Sequence, residues 1–397
     1  MKILMLTPYL PYPLLSGGQT RSYNLLKNLS KDHDITLFSF IRTEKERSYQ
    51  VKLGQFCKKI EVFRRRPAWS PINVFLAAAT AYPFLVSIYI SQNVKKALER
   101  ELQIGNYNLI HAETFYVMPN IPKTTVPILL VEQTIEYKVY QHFVEHSAPV
   151  VLKPLLWLDV KKVKYWEKHF WQKANRVIAM SQADKNKMLH VLPDLTVDIV
   201  PNGVYVNAFK TVVRKKKNVP IVLYVGNFKW LQNSEAAKIL LQEVWPLIRQ
   251  KLPNAQLWIV GRGQTTDLKL LQSQNVVFNQ HVDDIRTVYQ QADLMLAPIK
   301  GPGGTRLKIL EAMASGCPVV TTPIGIEGID AKDKKEVLVG NTVNELAQSA
   351  INLLTNSKLR NDLVKNAQKL VENKYSWVDI TKKLDKIYKE VSYGKTN

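Results

Sequence analysis

Short apolar runs typical of strands alternate with amphipathic helical stretches along the chain, and this alternation restricts the fold more than any other feature. Such alternation is typical of open parallel sheets with crossover helices on both faces. Because 397 residues exceed one typical core, we predict two doubly wound domains. The predicted strands are residues 3–6, 35–40, 109–111, 128–131, 177–180 and 198–200, then 221–225, 256–260, 276–278, 294–297 and 319–321.

A lysine-rich polar stretch at residues 207–218 separates the two series of strands. Polar composition of this kind is typical of interdomain linkers, and we predict a linker here. This stretch, which includes the basic run at residues 214–217, has two interpretations, a solvated loop or an interaction patch. Like-charge runs usually face water, which favours the solvated loop.

The formal net charge of +22 indicates an acidic partner, such as nucleic acid, anionic lipid or a phosphorylated substrate. No basic zipper, zinc-finger spacing or RNA-binding aromatic signature accompanies this charge. We therefore expect no nucleic-acid partner and consider phosphorylated ligands and anionic membrane surfaces.

The cysteine content and the apolar stretches bear on the cellular compartment. Cys57 and Cys317 are the only cysteines, and their separation provides neither a disulfide framework nor metal-ligand spacing. We expect a reducing cytoplasm and no bound metal. Residues 1–7 are too short for a signal-peptide core, so we predict a first strand and no export. The longest apolar stretch, residues 71–90, is too interrupted to cross a bilayer, which leaves a buried helical hairpin or a membrane-contacting surface as alternatives.

The most informative segment is residues 294–318, where a strand is followed by a glycine loop and a helix that ends near Gly316. Gly303 and Gly304 allow a ligand to approach the backbone, and we predict Thr305 as the helix N-cap. The free N–H groups of a helix start bind anions. Arg306 and Lys308 in the first turn oppose the helix dipole unless an anion joins them, so the pattern indicates a phosphate site.

Glu311 lies about one and a half turns further along the same predicted helix. Its carboxylate is able to accept hydrogen bonds from both hydroxyls of a ribose. The alternative is an ion pair with Lys308 at the (i, i+3) spacing of an ordinary helix surface. Spacing alone does not decide between the two.

Several motifs together resemble one family. They are G-G-T-R-L-K-I-L-E-A-M-A-S-G-C-P-V-V at residues 303–320, V-D-D-I-R at 282–286 and P-I-G-I-E-G-I at 323–329. This pattern resembles the large retaining glycosyltransferase family of GT-B fold, known as group 1 or family 4, which includes bacterial sugar transferases. The resemblance covers nearly the whole chain. Supporting matches lie at residues 17–18, 181–184, 201–204, 224–227 and 259–263.

The resemblance implies a GT-B fold, in which two Rossmann-like parallel-sheet domains face a cleft. It implies an acceptor-binding domain at residues 1–205, a nucleotide-sugar domain at 206–374 and a C-terminal helix at 375–397 that packs back on the N-terminal domain. The implied reaction moves a hexosyl group from a nucleotide diphosphate sugar to a glycan or lipid-linked acceptor. We expect retention of configuration, no metal, no separate cofactor, and a cytoplasmic location with the inner face of the plasma membrane as a possible peripheral site.

The resemblance also implies roles for individual residues. Glu311 grips the ribose, the glycine loop cradles the diphosphate, the base rests near Val282, and Gly17 and Gly18 approach the phosphates from the other domain. The expected catalytic residues are His111, Arg306, Lys308 and Glu311. The expected donor-binding residues are Gly17, Gly18, Gly226, Asn227, Lys229, Arg262, Val282, Gly303, Gly304, Thr305 and Leu307.

Two departures from the family pattern concern the donor. Many members carry a second glutamate eight positions before the one matching Glu311, where this chain has Gly303. Many also carry an arginine and a lysine where this chain has Asn227 and Gln232. Our hypothesis is that this missing charge is replaced by Lys229, Arg306 and Lys308.

In the N-terminal half, His111 and Glu113 are predicted at the carboxyl end of a strand. His111 either contacts the donor or is a hydrogen-bonded core histidine. Glu113, Glu132 and Glu136 are expected on the acceptor side. Residues 153–173 interleave aromatic residues with lysines, and residues 64–69 form a second basic-aromatic cluster. Residues 153–173 form either a helix that lies on anionic lipid or a core-packed helix with a solvated lysine face, which is favoured.

Transfer from a nucleotide sugar requires stabilisation of the charge that grows on the leaving diphosphate, which helix N–H groups, Arg306 and Lys308 supply in this interpretation. The first alternative function is a nucleotide-sugar epimerase or hydrolase of the same architecture. The second is a membrane-associated binding protein with a degenerate donor pocket. A dinucleotide dehydrogenase is disfavoured, because residues 7–18 lack G-x-G-x-x-G.

Overall fold

The structure is a computed structural model that describes residues 1–210, 219–271 and 273–394. The chain divides into two compact units. The first comprises Met1–Pro201 together with the C-terminal segment that begins at Trp377, and the second comprises Asn202–Ser376. The chain therefore leaves the first unit once and returns to it for its last helix.

The first unit is built on a seven-stranded sheet in which every pairing is parallel. The strand order is β3-β2-β1-β4-β5-β6-β7. The strands are β1 Lys2–Thr7, β2 Asp34–Ile41, β3 Lys59–Arg64, β4 Leu109–Glu113, β5 Ile128–Glu132, β6 Arg176–Ala179 and β7 Val197–Ile199. The helices are α1 Gly17–Leu29, α2 Gln50–Leu53, α3 Pro71–Ala79, α4 Phe84–Ser87, α5 Gln92–Ile104, α6 Glu136–His146, α7 Lys153–Lys173 and α8 Gln182–Val191, with 3-10 turns at Glu44–Tyr49, Phe115–Asn120 and Val150–Leu152.

The second unit contains a six-stranded parallel sheet. The strand order is β10-β9-β8-β11-β12-β13. The strands are β8 Ile221–Val225, β9 Gln256–Val260, β10 Val276–Asn279, β11 Leu294–Ala297, β12 Val319–Thr321 and β13 Leu338–Val339. The helices are α9 Val206–Lys210, α10 Leu231–Ile239, α11 Trp245–Lys251, α12 Thr266–Leu270, α13 Ile285–Gln291, α14 Leu307–Ala314, α15 Pro323–Ile326, α16 Val343–Thr355 and α17 Ser357–Lys374, with a π-helical segment at Leu240–Val244.

The last helix, α18 Trp377–Tyr393, belongs to the first unit. Its apolar side is buried, as Trp377, Leu384 and Tyr388 show, and the helix packs against α1 and β4. The prediction of two doubly wound parallel-sheet domains with a returning C-terminal helix is confirmed.

The predicted linker at residues 207–218 is only partly inside the described residues. Residues 211–218, which include the basic run at 214–217, lie outside them. The prediction is wrong for residues 207–210, which lie in α9. Val206 and Phe209 are buried in the hydrophobic core of the second unit, and this burial stabilises a helix where polarity predicted a loop.

The apolar stretch at residues 71–90 forms two short helices, α3 and α4, rather than a buried hairpin. Only Asn73 of α3 is buried, so the buried-hairpin alternative is wrong for this helix. Within the described ranges, no helix is both long enough and apolar enough to cross a membrane.

In each sheet, the order of the strands along the chain reverses at one point, called the switch point. It lies between β1 and β4 in the first unit and between β8 and β11 in the second. At such a switch point the connecting loops diverge and leave a crevice at the carboxyl ends of the strands, where open α/β sheets bind ligands. The fold therefore directs attention to the loops after β1, β4, β8 and β11.

Candidate functional site

Three strand-end loops of the second unit meet at the carboxyl edge of its sheet. The loop after β8 contacts the loop after β9 through a hydrogen bond from the Phe228 amide to the Arg262 carbonyl, 2.8 Å. Gln232, at the start of the following helix α10, donates from Nε2 to the Pro302 carbonyl of the glycine loop after β11 at 3.1 Å. Strands that are distant in sequence therefore contribute to one site at the β8/β11 switch point.

The loops after β8 and β9 approach so closely that glycine is required at residue 261. Gly261 has a φ of +135°, and a Cβ there would lie 1.9 Å from the Gly226 carbonyl oxygen. The Gly226 amide also donates to the Val260 carbonyl at 3.0 Å. These contacts place Gly226, Asn227, Lys229 and Arg262 in adjoining loops, with Lys229 and Arg262 exposed.

The glycine loop after β11 makes room for an arginine side chain. Arg306 Nη2 donates to the Gly301 carbonyl at 2.8 Å. A Cβ on Gly303 would lie 2.2 Å from Arg306 Nη1. Many relatives carry a second glutamate at the position of Gly303, and in this chain the Arg306 guanidinium occupies the space that such a side chain would take.

The start of α14 differs from the prediction by one residue. The helix begins at Leu307 with Arg306 as its N-cap, and no side chain caps it. Thr305, the predicted cap, is buried one residue earlier. The physical reason is the bond from Arg306 to Gly301, which ties residue 306 back to the loop and delays the helix.

Lys308 is held at the centre of the site. Its Nζ donates to Asn233 Oδ1 at 2.7 Å and lies 4.7 Å from the centroid of the Tyr224 ring. Burial lowers the pKa of Lys308 to about 7, with a further decrease from the nearby charge of Arg306 and a partial offset by Glu311. A lysine amine with this lowered pKa takes up a proton readily when an anion binds beside it.

Glu311 lies one turn beyond Lys308 and accepts a hydrogen bond from the Tyr289 hydroxyl at 3.0 Å. Burial raises the pKa of Glu311 to about 7, against the opposing effects of Tyr289 and Lys308. Among the described residues, Lys308 Nζ donates to Asn233 and Tyr224, and Glu311 accepts from Tyr289, so the (i, i+3) ion pair proposed as an alternative is not formed. Both groups are poised to titrate near neutral pH.

The remaining predicted donor residues lie along the same edge. Val282 follows β10 and Leu307 begins α14, and both pack against the core while remaining half-buried. Gly304 is half-buried in the glycine loop. Asn233 and Tyr289, which hold Lys308 and Glu311, were not predicted from the sequence, because each is an ordinary polar residue of a helix and belongs to no local motif. Their only sequence signal is their proximity to motifs at 224–227 and 282–286.

In the first unit, His111 is an interior residue of β4, because the strand extends to Glu113 and not only to 111 as predicted. The side chain is fully buried. Its Nδ1 is hydrogen-bonded to the Tyr388 hydroxyl of α18, and its Nε2 lies 3.1 Å from Glu113 Oε1. These contacts favour the hydrogen-bonded core histidine over the catalytic alternative.

Glu113 joins this network at the β1/β4 switch point. Gln133 Nε2 donates to its Oε2 at 2.7 Å, and Arg21 Nε lies 3.9 Å from its Oε1. Burial alone would raise the pKa of Glu113, but His111 and Arg21 outweigh it and hold the pKa below its usual range. The carboxylate is therefore committed to structural partners.

Gly17 and Gly18 begin α1, where the Ser16 side chain caps the helix. A Cβ on Gly18 would lie 1.8 Å from the Tyr9 hydroxyl and 2.5 Å from Gln133 Oε1. Gly18 thus has a packing requirement within the first unit, and the structure places Gly17 and Gly18 at its switch point.

Glu132 and Glu136 belong to a group of acids near the end of β5. Trp171 Nε1 donates to Glu132 Oε1 at 3.0 Å, and the Thr134 hydroxyl donates to Glu136 Oε2 at 2.9 Å. Glu167 of α7, which sequence analysis missed, accepts from the Glu136 and Tyr137 amides and so caps α6. Burial and the neighbouring Glu167 raise the pKa of Glu132 well above its usual value, and burial raises that of Glu136.

Within the described residues, no group of three or more His, Cys, Asp or Glu side chains is arranged to hold a metal ion. Cys57 and Cys317 are both buried, and neither forms a disulfide bond.

Comparison with known proteins agrees with this arrangement. Residues 219–356 match the family model described as glycosyl transferases group 1, and residues 15–207 match the model described as glycosyltransferase family 4. An uncharacterized 44.6 kDa protein in the cps region of Klebsiella pneumoniae is 24% identical over 98% of this chain and 99% of its own length. Phosphatidyl-myo-inositol mannosyltransferase of Mycobacterium tuberculosis is 26% identical over 54% of this chain and 59% of its own length. The crystal structure of HepE from Anabaena in complex with UDP and glucose has a TM-score of 0.69 at 18% identity, and the match covers 98% of this chain and 99% of that chain.

The two parallel-sheet units have the GT-B fold, and the two family models identify the chain as a glycosyltransferase. Proteins of this class transfer a sugar from a nucleotide-sugar donor to an acceptor. The two family models together span most of the chain. The chain belongs to the group 1 glycosyltransferases, also described as family 4.

Proposed function

We propose that this protein transfers a hexosyl group from a nucleoside diphosphate sugar to a glycan or lipid-linked acceptor, with retention of configuration and without a metal or separate cofactor. The observation that carries the proposal is the pair Lys308 and Glu311 on α14. Both side chains are half-buried at the β8/β11 switch point, and both have a pKa moved to about 7. A cation and a carboxylate poised in this way suit a ligand that has phosphates and a ribose.

The diphosphate occupies the start of α14 in this proposal. Backbone N–H groups of the first helical turn, the guanidinium of Arg306 and the ammonium of Lys308 bind its oxygens. Gly303, Gly304 and Thr305 bring the backbone close to the phosphates, with Gly226, Asn227, Lys229 and Arg262 on the neighbouring loops. Glu311 accepts the ribose hydroxyls, and the base rests near Val282 and Leu307.

Catalysis in this proposal comes mainly from stabilisation of the leaving group. Negative charge grows on the diphosphate as the anomeric bond breaks, and donors already fixed in place stabilise that charge without reorganisation. The leaving phosphate accepts the proton of the acceptor hydroxyl, which attacks from the same face of the sugar. This route requires no protein nucleophile and gives retention.

The donor base proposed for the first test is uracil, because HepE was crystallised with UDP and glucose. A hexose is supported by the same complex and by the relative named a mannosyltransferase. The absence of a carboxylate at Gly303 removes one contact that many relatives have for the sugar hydroxyls, and Arg306 lies over that position. The preferred sugar is therefore expected to differ from that of relatives with the second glutamate.

The acceptor side is assigned to the first unit, in the neighbourhood of Glu132 and Glu136 at the end of β5. In this proposal, Glu113 and His111 are buried residues that support that surface. Gly17 and Gly18 are the residues that the first unit contributes to the donor site. The chain has only two cysteines, Cys57 and Cys317, and this low content supports a cytoplasmic location. The high positive charge supports action at the inner face of the plasma membrane on a lipid-linked acceptor.

Thermal melting with saturating UDP, GDP, ADP and NAD tests the donor site. A ligand at one hundred times its dissociation constant stabilises the folded protein by about 2.7 kcal/mol. We expect one nucleoside diphosphate to raise the melting temperature of the wild type but not of Glu311→Ala. Glu243→Ala, an exposed glutamate of the same unit, is the matched control and is expected to keep the shift.

Turnover of the matching nucleotide sugar then separates the candidate reactions. Transfer requires an acceptor, whereas steady donor consumption without any acceptor would indicate an epimerase or hydrolase. If none of the four nucleotides stabilises the protein, the proposed donor site is wrong and a degenerate binding protein becomes the better interpretation.

A further inference from the structure

Helix α3 is inverted relative to an ordinary surface helix. Its sequence is PINVFLAAA, and the one polar residue, Asn73, is its only buried residue. Asn73 Oδ1 accepts from Arg66 Nε at 2.7 Å, and Asn73 Nδ2 donates to the Pro67 carbonyl at 2.8 Å. Meanwhile Ile72 is exposed and Phe75 is 69% exposed. Burying the one polar side chain of a helix while exposing its apolar side chains is unfavourable in water.

An exposed apolar stripe on α7 and the 3-10 turn before it continues this surface. Leu155 and Leu158 of α7 are exposed and lie three residues apart, so they share one helix side, and the exposed Val151 lies in the 3-10 turn just before the helix. Lys162 continues the same side and donates to the Ala77 and Thr80 carbonyls at 2.6 and 2.9 Å. The stripe therefore runs directly to the end of α3.

Further contacts fix α3, α4 and α7 as one surface. Trp166 Nε1 of α7 donates to the Ala81 carbonyl at 2.8 Å, and its ring stacks on Tyr82. Trp69, which is 81% exposed, packs its ring on Phe84 with centroids 4.9 Å apart. We define the apolar face of the first unit as Trp69, Ile72, Phe75, Val151, Leu155 and Leu158.

A row of lysines runs along α7 beside the apolar face. Lys161, Lys164 and Lys168 lie three and four residues apart on the helix side next to the stripe. With Tyr165, His169 and Gln172 they line a groove of about 420 Å³. Cationic side chains that border apolar ones match a bilayer surface, where anionic phosphates lie beside acyl chains.

We propose that the apolar face inserts into the interfacial layer of an anionic phospholipid bilayer, with Lys161, Lys164 and Lys168 on the lipid phosphates. Charge complementarity selects this occupant over a second copy of the chain. In a two-fold dimer through the same face, the lysine rows of both copies would come near each other, and the net charge of +22 on each copy would add to the repulsion. The surface belongs to the proposed acceptor-binding unit and holds that unit at the membrane.

Vesicle flotation with the full-length protein tests the proposal independently of donor binding. The vesicles are phosphatidylcholine alone and phosphatidylcholine with phosphatidylglycerol, at about 0.15 M salt. We expect the wild type to float with the anionic vesicles and to stay behind with the neutral ones. Ile72→Ser with Phe75→Ser is expected to reduce the partition coefficient at least tenfold, as is Lys161→Gln with Lys164→Gln and Lys168→Gln.

Each variant has a matched control in the same unit. Val51→Ser with Ile104→Ser removes exposed apolar side chains elsewhere, and Lys31→Gln with Lys45→Gln and Lys52→Gln removes the same charge. The controls are expected to float like the wild type. Failure of the wild type to bind anionic vesicles, or an equal loss in test and control variants, overturns the proposal. So does a concentration-dependent dimer that Ile72→Ser with Phe75→Ser abolishes, since a second copy would then cover the face.

Discussion

The ammonium nitrogen of Lys308 lies 2.7 Å from the side-chain oxygen of Asn233, so a cation of α14 is held against the helix that follows β8. Asn233 in turn donates to the Asn227 carbonyl at 2.9 Å. Many relatives carry an arginine and a lysine in this region, where this chain has Asn227 in the loop after β8 and Gln232 at the start of α10. The contact supports the hypothesis that α14 supplies the missing charge.

Asn233→Leu tests this relationship. The substitution removes the acceptor that positions the Lys308 ammonium while keeping a side chain of similar size. A hydrogen bond to a charged group contributes about 1.5–3 kcal/mol, so we expect UDP affinity to fall by about tenfold or more. Isothermal titration calorimetry measures the change. Asn361→Leu, at an exposed position of α17, is the control, and UDP binding by Asn233→Leu with wild-type affinity would contradict the proposed role.

Binding of UDP is expected to exchange protons with a sign that reverses near pH 7. At pH 8 the free Lys308, with a pKa of about 7, is mostly neutral, and the diphosphate raises that pKa, so binding takes up a proton. At pH 6 the free Glu311, with a pKa of about 7, is mostly protonated, and ribose hydroxyls favour its charged form, so binding releases a proton.

Calorimetry in buffers of different ionisation enthalpy measures this exchange. Lys308→Arg is expected to lose the uptake at pH 8, because arginine stays charged, and Glu311→Gln is expected to lose the release at pH 6. Phosphate itself titrates near a pH of about 6, and the difference between wild type and variant removes that contribution. An exchange identical in all three proteins would show that neither group meets the ligand.

Gly303→Ala is expected to weaken UDP binding with little effect on folding. The new Cβ would lie 2.2 Å from Arg306 Nη1, the far end of a flexible side chain, so the guanidinium moves away at low cost. We expect a loss of UDP affinity of about tenfold, with a melting temperature close to that of the wild type. Gly54→Ala, where a Cβ meets only ordinary contacts, is the control.

Gly261→Ala is expected to do the opposite and destabilise the second unit. Its Cβ would lie 1.9 Å from the Gly226 carbonyl oxygen, which is backbone, and its φ of +135° disfavours any side chain. Backbone strain combined with overpacking costs about 2–4 kcal/mol, which a thermal unfolding scan detects. Gly261→Ala with wild-type stability would show that the two loops are less closely packed than described.

Tyr388→Phe is expected to loosen α18 from the first unit. The substitution deletes the hydroxyl bonded to His111 Nδ1 and leaves a buried imidazole nitrogen without that partner. Such a loss costs about 1–3 kcal/mol. Hydrogen exchange of the α18 amides is expected to speed up, whereas Tyr393→Phe at an exposed position of the same helix leaves it unchanged. Equal protection in both variants would show that the hydrogen bond to His111 does not anchor the helix.

Strands such as β1 and β8 were predictable because strands buried on both sides carry mostly apolar residues. Strand β3 was not predicted because this edge strand alternates charged and apolar residues, and β13 was not predicted because two residues form no pattern. The glycine loop with Arg306, Lys308 and Glu311 was visible because all of it lies in one continuous segment. Asn233 and Tyr289 were not, since they reach the site from other helices.

Local patterns therefore determined the two parallel sheets, the family and the segment that carries the donor site. The reason is that periodicity, glycine loops and helix-start residues are all formed by positions close together in the sequence. Tertiary structure alone decided that His111 is a core residue bonded to Tyr388, that Lys308 pairs with Asn233 and not with Glu311, and that α3 buries Asn73 while exposing Phe75. Each of these depends on which distant segment packs against a side chain. Burial and the choice of partner are properties of the folded neighbourhood, and spacing along the chain does not encode them.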